Sequence, residues 1–112
     1  MCSKSQLTEL LNVVALQAKR IYKEELHSVI LYGSYARGDF DEESDVDIMI
    51  LLNLPKENIF DFKREIDCLC GELLYKYGIV VSITERDVET YTRYVDILPF
   101  YRNIREEGVK IA

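Results

Sequence analysis

An α/β fold, a small mixed sheet with helices packed on it, is predicted by three features of this chain. Apolar residues recur at helical spacing in two long stretches, one at the start and one in the middle. Three short runs dense in branched apolar residues alternate with them. Gly33, Pro55, Gly78, Pro99 and Gly108 punctuate the junctions. Helical and strand patterns that alternate in this way bury both kinds of face in one layered domain.

The elements follow in order. Leu7, Leu10, Leu11, Val14, Ala18 and Ile21 predict an amphipathic helix over roughly residues 5–25, with Glu9, Asn12, Lys19, Arg20 and Lys23 on its wet side. Val29-Ile30-Leu31-Tyr32 is a buried strand stopped by Gly33. Ser34 to Arg37 can make one helical turn closed by Gly38. Asp39 to Ser44 is a polar loop, and Val46 to Leu52, almost wholly apolar, is an inner strand covered on both faces. Pro55 is expected to open the next helix, whose stripe is Ile59, Phe62, Ile66, Leu69, Leu73 and Tyr77 and whose stop is Gly78. A third strand is expected from Ile79 to Thr84. Thr84-Glu85-Arg86-Asp87 matches a capping box, so a further helix is expected to begin near residue 85. Pro99 opens a last short helix that Gly108 stops, and Val109-Lys110-Ile111 offers an edge strand. The order is α-β-turn-β-α-β-α-α.

Composition bounds the function. The 112 residues, 48% apolar and 30% charged, make one globular domain, residues 1–112. No apolar run approaches a membrane span, and Met1-Cys2-Ser3-Lys4 lacks a signal-peptide core, so the expected location is the cytoplasm with no membrane partner. Cys2, Cys68 and Cys70 are odd in number and poorly spaced for a bridge or zinc, and are read as reduced. The net charge of −6, without a basic stripe, argues against long nucleic acid as a partner. One nucleotide remains possible, because a metal ion can supply the missing positive charge.

The segment from Gly33 to Asp47 holds the most information. Gly33 lets a strand end abruptly and another group approach the backbone. The amides that follow open a helical turn with unsatisfied N–H groups, and the Ser34 hydroxyl adds a donor, so the turn suits an anion. Arg37 can reach the same anion. Asp45 and Asp47, two apart at the mouth of a strand, leave the same face with Cα atoms about 6.5–7 Å apart. Two carboxylates there repel unless a hard divalent cation such as magnesium sits between them. Antiparallel pairing of the two strands would bring turn and carboxylates to one edge of the sheet.

Gly33-Ser34, ten residues, then Asp45-Val46-Asp47 resembles the signature of the polymerase β-like nucleotidyltransferase superfamily. The fuller form, Gly33-Ser34-Tyr35-Ala36-Arg37-Gly38 with Ser44-Asp45-Val46-Asp47-Ile48, resembles its minimal nucleotidyltransferase branch, known from HEPN–MNT toxin–antitoxin pairs. The resemblance implies attack of an acceptor hydroxyl on the α-phosphorus of a nucleoside triphosphate, with pyrophosphate leaving. It implies that Gly33 and Ser34 hold the β and γ phosphates, that Asp45 and Asp47 bind Mg2+, and that Arg37 is an auxiliary phosphate contact. The implied reaction is AMP transfer from ATP to a HEPN-type helical protein.

The chain departs from the family pattern at its third carboxylate. The corresponding strand carries Ser82 at the equivalent position, with Thr84 on the same face, and a serine is no general base near neutral pH. Glu85 falls on the opposite face by strand parity, and Glu85 and Asp87 are explained by the capping box. Nor are residues left over for an acceptor platform, which would come from another protein or another copy of the chain. Three readings stay open: a slow enzyme with two carboxylates, an enzyme completed by its partner, or an antitoxin-like binding module. His27 is read as a boundary residue, and the eight tyrosines, Tyr91, Tyr94 and Tyr101 among them, as mostly packing residues, one of which could face a base.

Overall fold

The computed structural model describes residues 3–112; Cys2 lies outside them. Helix α1 (Lys4–Tyr22) starts at a reciprocal cap, in which the Gln6 amide donates to Ser3 Oγ and the Ser3 amide to Gln6 Oε1, both at 3.1 Å. Its buried stripe is Leu10, Val14, Ala18 and Tyr22. A 3-10 turn, Lys23–Glu25, leads into strand β1 (Leu26–Tyr32). Then come the single-turn helix α2 (Ser34–Arg37), strand β2 (Val46–Leu52), helix α3 (Lys63–Tyr77) and strand β3 (Val81–Asp87). Helices α4 (Val88–Tyr94) and α5 (Pro99–Glu107) and the two-residue strand β4 (Val109–Lys110) complete the chain.

The sheet order is β3-β2-β1-β4. β1 runs antiparallel to both β2 and β4, and β2 runs parallel to β3 across the α3 crossover. Alternation divides the strands between two cores. Val46, Ile48, Ile50 and Leu52 face α1 and α3, whereas Met49 and Leu51 face Tyr101 and Ile104 of α5. β2 is therefore apolar on both sides because both sides are covered, and each of its fully buried aliphatic side chains stabilises the fold by about 1.5–3 kcal/mol. Among the described residues no helix is long and apolar enough to cross a membrane.

Two expected boundaries are corrected. The helix expected to open at Pro55 begins at Lys63 instead. A 3-10 turn, Lys56–Asn58, and a turn held by Asn58 Nδ2 donating to Asp61 Oδ2 at 2.9 Å precede it. Ile59 is buried from that turn, and Phe62 meets the Tyr22 ring edge-on at 5.2 Å. Helical spacing of apolar residues does not distinguish this arrangement from one continuous helix.

The second correction concerns the capping box. β3 runs on through Thr84 and Glu85 to Asp87, and Asp87 is itself the cap, its Oδ2 accepting from the Thr90 amide at 2.9 Å. Glu85 is thus a mid-strand residue, 2% exposed, beneath α3. Lys63 Nζ stands 3.7 Å from its Oε1, while its Oε2 and the nearby Tyr22 hydroxyl are buried without a hydrogen-bond partner. Burial raises the Glu85 carboxyl pKa, and Lys63 only partly opposes this. A carboxyl raised in the folded state contributes stability below its unfolded pKa and loses it as pH rises through the folded value. Glu85→Gln should therefore melt above the wild type at pH 8, with the gap closing as pH falls into the ordinary carboxylate range. Thermal melts across pH measure this.

Candidate functional site

The β1–β2 pairing sets Tyr32 directly opposite Asp47. The chain leaves β1 at Gly33, whose φ of 77° and ψ of −156° lie in a region that side-chain-bearing residues avoid. Its carbonyl accepts from the amides of Ala36 and Arg37, each at 3.1 Å, which closes the turn. The Ser34 amide stands ahead of those bonds, at the start of α2. Gly38, with φ of 86°, ends the turn by donating to the Ser34 carbonyl at 2.8 Å. Tyr35 stacks on Phe40 at 4.3 Å with the rings 7° from parallel, which ties the turn to the returning loop. Asp41 organises that loop, its Oδ1 accepting from the Glu43 amide and its own amide donating to Ser44 Oγ, both at 2.9 Å.

The closest approach in the site joins its two halves. A Cβ built on Gly33 would collide with Asp47 Oδ2 and fall 3.2 Å from Asp47 Cγ. Only glycine leaves room for that carboxylate against the turn. Asp47 is half-buried in the strand, while Asp45, one residue before β2, is exposed. Burial first and the Asp45 charge second raise the Asp47 pKa, and Arg37 pulls it back down. The pair is thus an electrostatic cost in the protein alone.

A cleft of about 440 Å³ opens above these residues. Gly33, Ser34, Arg37 and Asp47 form one side, and Phe100, Asn103, Ile104 and Glu107 of α5 the other, with Tyr32 between. Asp45 is not among the lining residues. Arg37 is held by two carboxylates: its Nε lies 3.1 Å from Asp39 Oδ2 and its Nη1 3.3 Å from Glu107 Oε2. A groove of equal volume between α1 and α3 contains Arg20, Arg64, Glu65 and Glu72, charges of both signs, and none of the motif residues.

The neighbouring strand places Ser82 level with Asp47 and Thr84 level with Met49. The β3 residues on this face are Ser82, Thr84 and Arg86, so β3 offers the site no acid. Thr84 Oγ1 lies 3.5 Å from the Tyr32 hydroxyl, and Glu85 is sealed beneath α3 on the other face. His27 is exposed, its Nδ1 3.0 Å from Ser28 Oγ. The α5 wall was not anticipated from sequence. Its trace there is the spacing of Phe100, Asn103, Ile104 and Glu107, which share one helical face.

A four-stranded mixed sheet with a Gly-Ser turn packed on an Asp-x-Asp pair defines a nucleotidyltransferase-type domain. Two solved structures share the fold. A mutant of the toxin–antitoxin MntA–HpeT superposes with a TM-score of 0.51 at 15% identity, covering 91% of this chain and 72% of that one. A toxin–antitoxin with AMP-PNP gives 0.52 at 17% identity, with the same coverage. The family model described as nucleotidyltransferase domain matches residues 14–111, and the chain belongs to that family. It is also similar to two proteins of Methanocaldococcus jannaschii named as presumptive protein adenylyltransferases. One is 42% identical over 96 residues, 86% of each chain; the other is 37% identical over 95 residues, 77% of this chain and 95% of that one.

The Gly33–Asp47 contact predicts a sharp contrast between glycines. Gly33→Ala should destabilise the fold by about 1–3 kcal/mol from its backbone conformation alone. Gly71→Ala, in α3 with open space around it, should stabilise by about 0.5–1 kcal/mol. Urea unfolding of the two variants measures both signs.

Proposed function

We propose that this chain is a magnesium-dependent nucleotidyltransferase that moves AMP from ATP to a hydroxyl of a protein partner. The partner is a helical HEPN-type toxin, and the reaction belongs in the cytoplasm, where ATP and that partner meet. The observation behind this reading is the seating of the Asp47 carboxylate against the Gly33 turn, in a chain 42% identical to a presumptive protein adenylyltransferase.

Each residue has a part. The turn at Gly33 and Ser34 receives the β and γ phosphates through backbone amides and the Ser34 hydroxyl. Asp45 and Asp47 hold magnesium. The donor set would fit that ion: burial and the Asp45 charge raise the Asp47 pKa in the protein alone, and a hard divalent cation held by the two carboxylates would offset both. When bound, magnesium neutralises charge on the phosphoryl oxygens. The acceptor oxygen bonds to the α-phosphorus as the bond to the pyrophosphate oxygen breaks, and pyrophosphate departs with that electron pair. Ser82 does not take the hydroxyl proton, which passes to water or to a base of the partner.

Arg37 must exchange partners to serve the phosphates, because Asp39 and Glu107 already hold it. Glu107→Gln should therefore lower the KM for Mg–ATP a few-fold and Arg37→Ala should raise it, with steady-state kinetics as the readout. The protein side of the exchange is small, since both ion pairs are solvent-exposed and screened.

Ser82 opposite Asp47 supports a second reading, an antitoxin-like module that binds nucleotide and neutralises its partner by contact alone. Incubation with the partner, ATP and magnesium separates the two. Intact-mass spectrometry should find an added AMP on the partner with wild type and none with Asp45→Asn/Asp47→Asn. An unmodified partner in both cases would leave only the contact reading.

A further inference from the structure

The cleft is graded along α5. Phe100, Asn103 and Glu107 present an apolar, a neutral polar and a charged group in turn, on one face of the helix and about 10 Å from end to end. Arg37 meets the charged end at Glu107, and Ser34, three residues before it on the one-turn helix α2, lines the same cleft. At the apolar end the Tyr32 ring meets Phe100 edge-on, with centroids 5.8 Å apart and planes at 86°. Tyr101 flanks the same ring, with centroids 5.5 Å apart and planes tilted by 52°, so two aromatic neighbours brace Phe100. Phe100 is nevertheless 45% exposed, and it lines the cleft. Ile97 and Leu98, just before it, are exposed too but do not line the cleft.

The geometry points to Phe100 as the platform on which the nucleobase of the triphosphate stacks, with Tyr32 holding the ring in position. The inference rests on the nucleotide reading above and deepens it, because it assigns the base end of the same cleft. A triphosphate anchored at the Ser34 and Arg37 end directs its nucleoside along α5 toward Phe100. An aromatic face accepts any base, so Phe100 supplies affinity for a nucleoside, not choice among bases. The charged end of the cleft recognises phosphate with or without a base attached. The two halves of the ligand are therefore separable by experiment.

Isothermal titration calorimetry on the full chain, with magnesium present, compares ATP with inorganic triphosphate. Wild type should bind ATP about ten-fold more tightly than inorganic triphosphate. Phe100→Ala should lose about that factor for ATP and leave triphosphate unchanged, while Phe100→Trp should keep the preference, with thermal melts verifying both folds. Equal losses for the two ligands would overturn the assignment, because Phe100 would then merely shape the cleft. No loss for either would also overturn it and would assign Phe100 to an apolar surface with Ile97 and Leu98. Wild type that bound triphosphate as well as ATP would remove the base contact and keep the phosphate site. Wild type that bound neither would remove the phosphate site as well.

Discussion

The carboxylate of Asp47 occupies space that a side chain on residue 33 would need. That single steric constraint couples the end of β1 to the start of β2, and the rest of the site is arranged around it. The antiparallel register sets Tyr32 opposite Asp47, and the glycine conformation turns the chain into α2 at the same level. A one-residue slip of β2 would move Asp47 to the opposite face and bury it among the residues packed under α1 and α3. Burying the carboxylate in that apolar layer makes the slip costly, so the hydrophobic core also fixes the position of Asp47.

Electrostatics explains why such a site calls for a cation. The chain carries a net charge of −6, and the guanidinium of Arg37, whose charge acts on Asp47, is already held by Asp39 and Glu107. A triphosphate entering that field with no metal would meet repulsion on most sides. Burial and the neighbouring Asp45 charge work against ionisation of Asp47, a cost that a bound divalent ion would reverse. The face of β3 beside Asp47 contributes hydroxyls instead of a further acid. In the proposed reaction, proton removal from the acceptor is therefore the step for which the domain is least equipped.

The parts of the fold written in local chemistry were legible in the sequence. β2 spans the apolar run from Val46 to Leu52, and α2 lies between the glycines that frame it. The turn at Gly33 and the carboxylate of Asp47 that packs on it, close in the chain, were legible for the same reason. Asp45 stands exposed and does not line the cleft. What was misread depended on contacts between distant residues. Thr84 to Asp87 satisfied a helix-start pattern, but Glu85 belongs to a strand whose burial beneath α3 no local window records. Ile59 and Phe62 matched a helical stripe, yet they are seated by a turn that Phe62 secures against Tyr22. Glu107 of the α5 wall lies 70 residues beyond Arg37 in the chain, and only the tertiary fold shows that the two meet.

The central claim is that one ligand, a magnesium-bound nucleoside triphosphate, engages the junction of Gly33 and Asp47. Amide-resolved NMR of the isotopically labelled chain, titrated with Mg–ATP, tests it most directly. The account predicts that the largest shift changes fall at Gly33, Ser34 and Asp47, with Arg37 and Phe100 following and residues of the α1–α3 groove unmoved. Shifts concentrated at Arg20, Arg64 and Cys68, or a spectrum unchanged at saturating ligand, would contradict it.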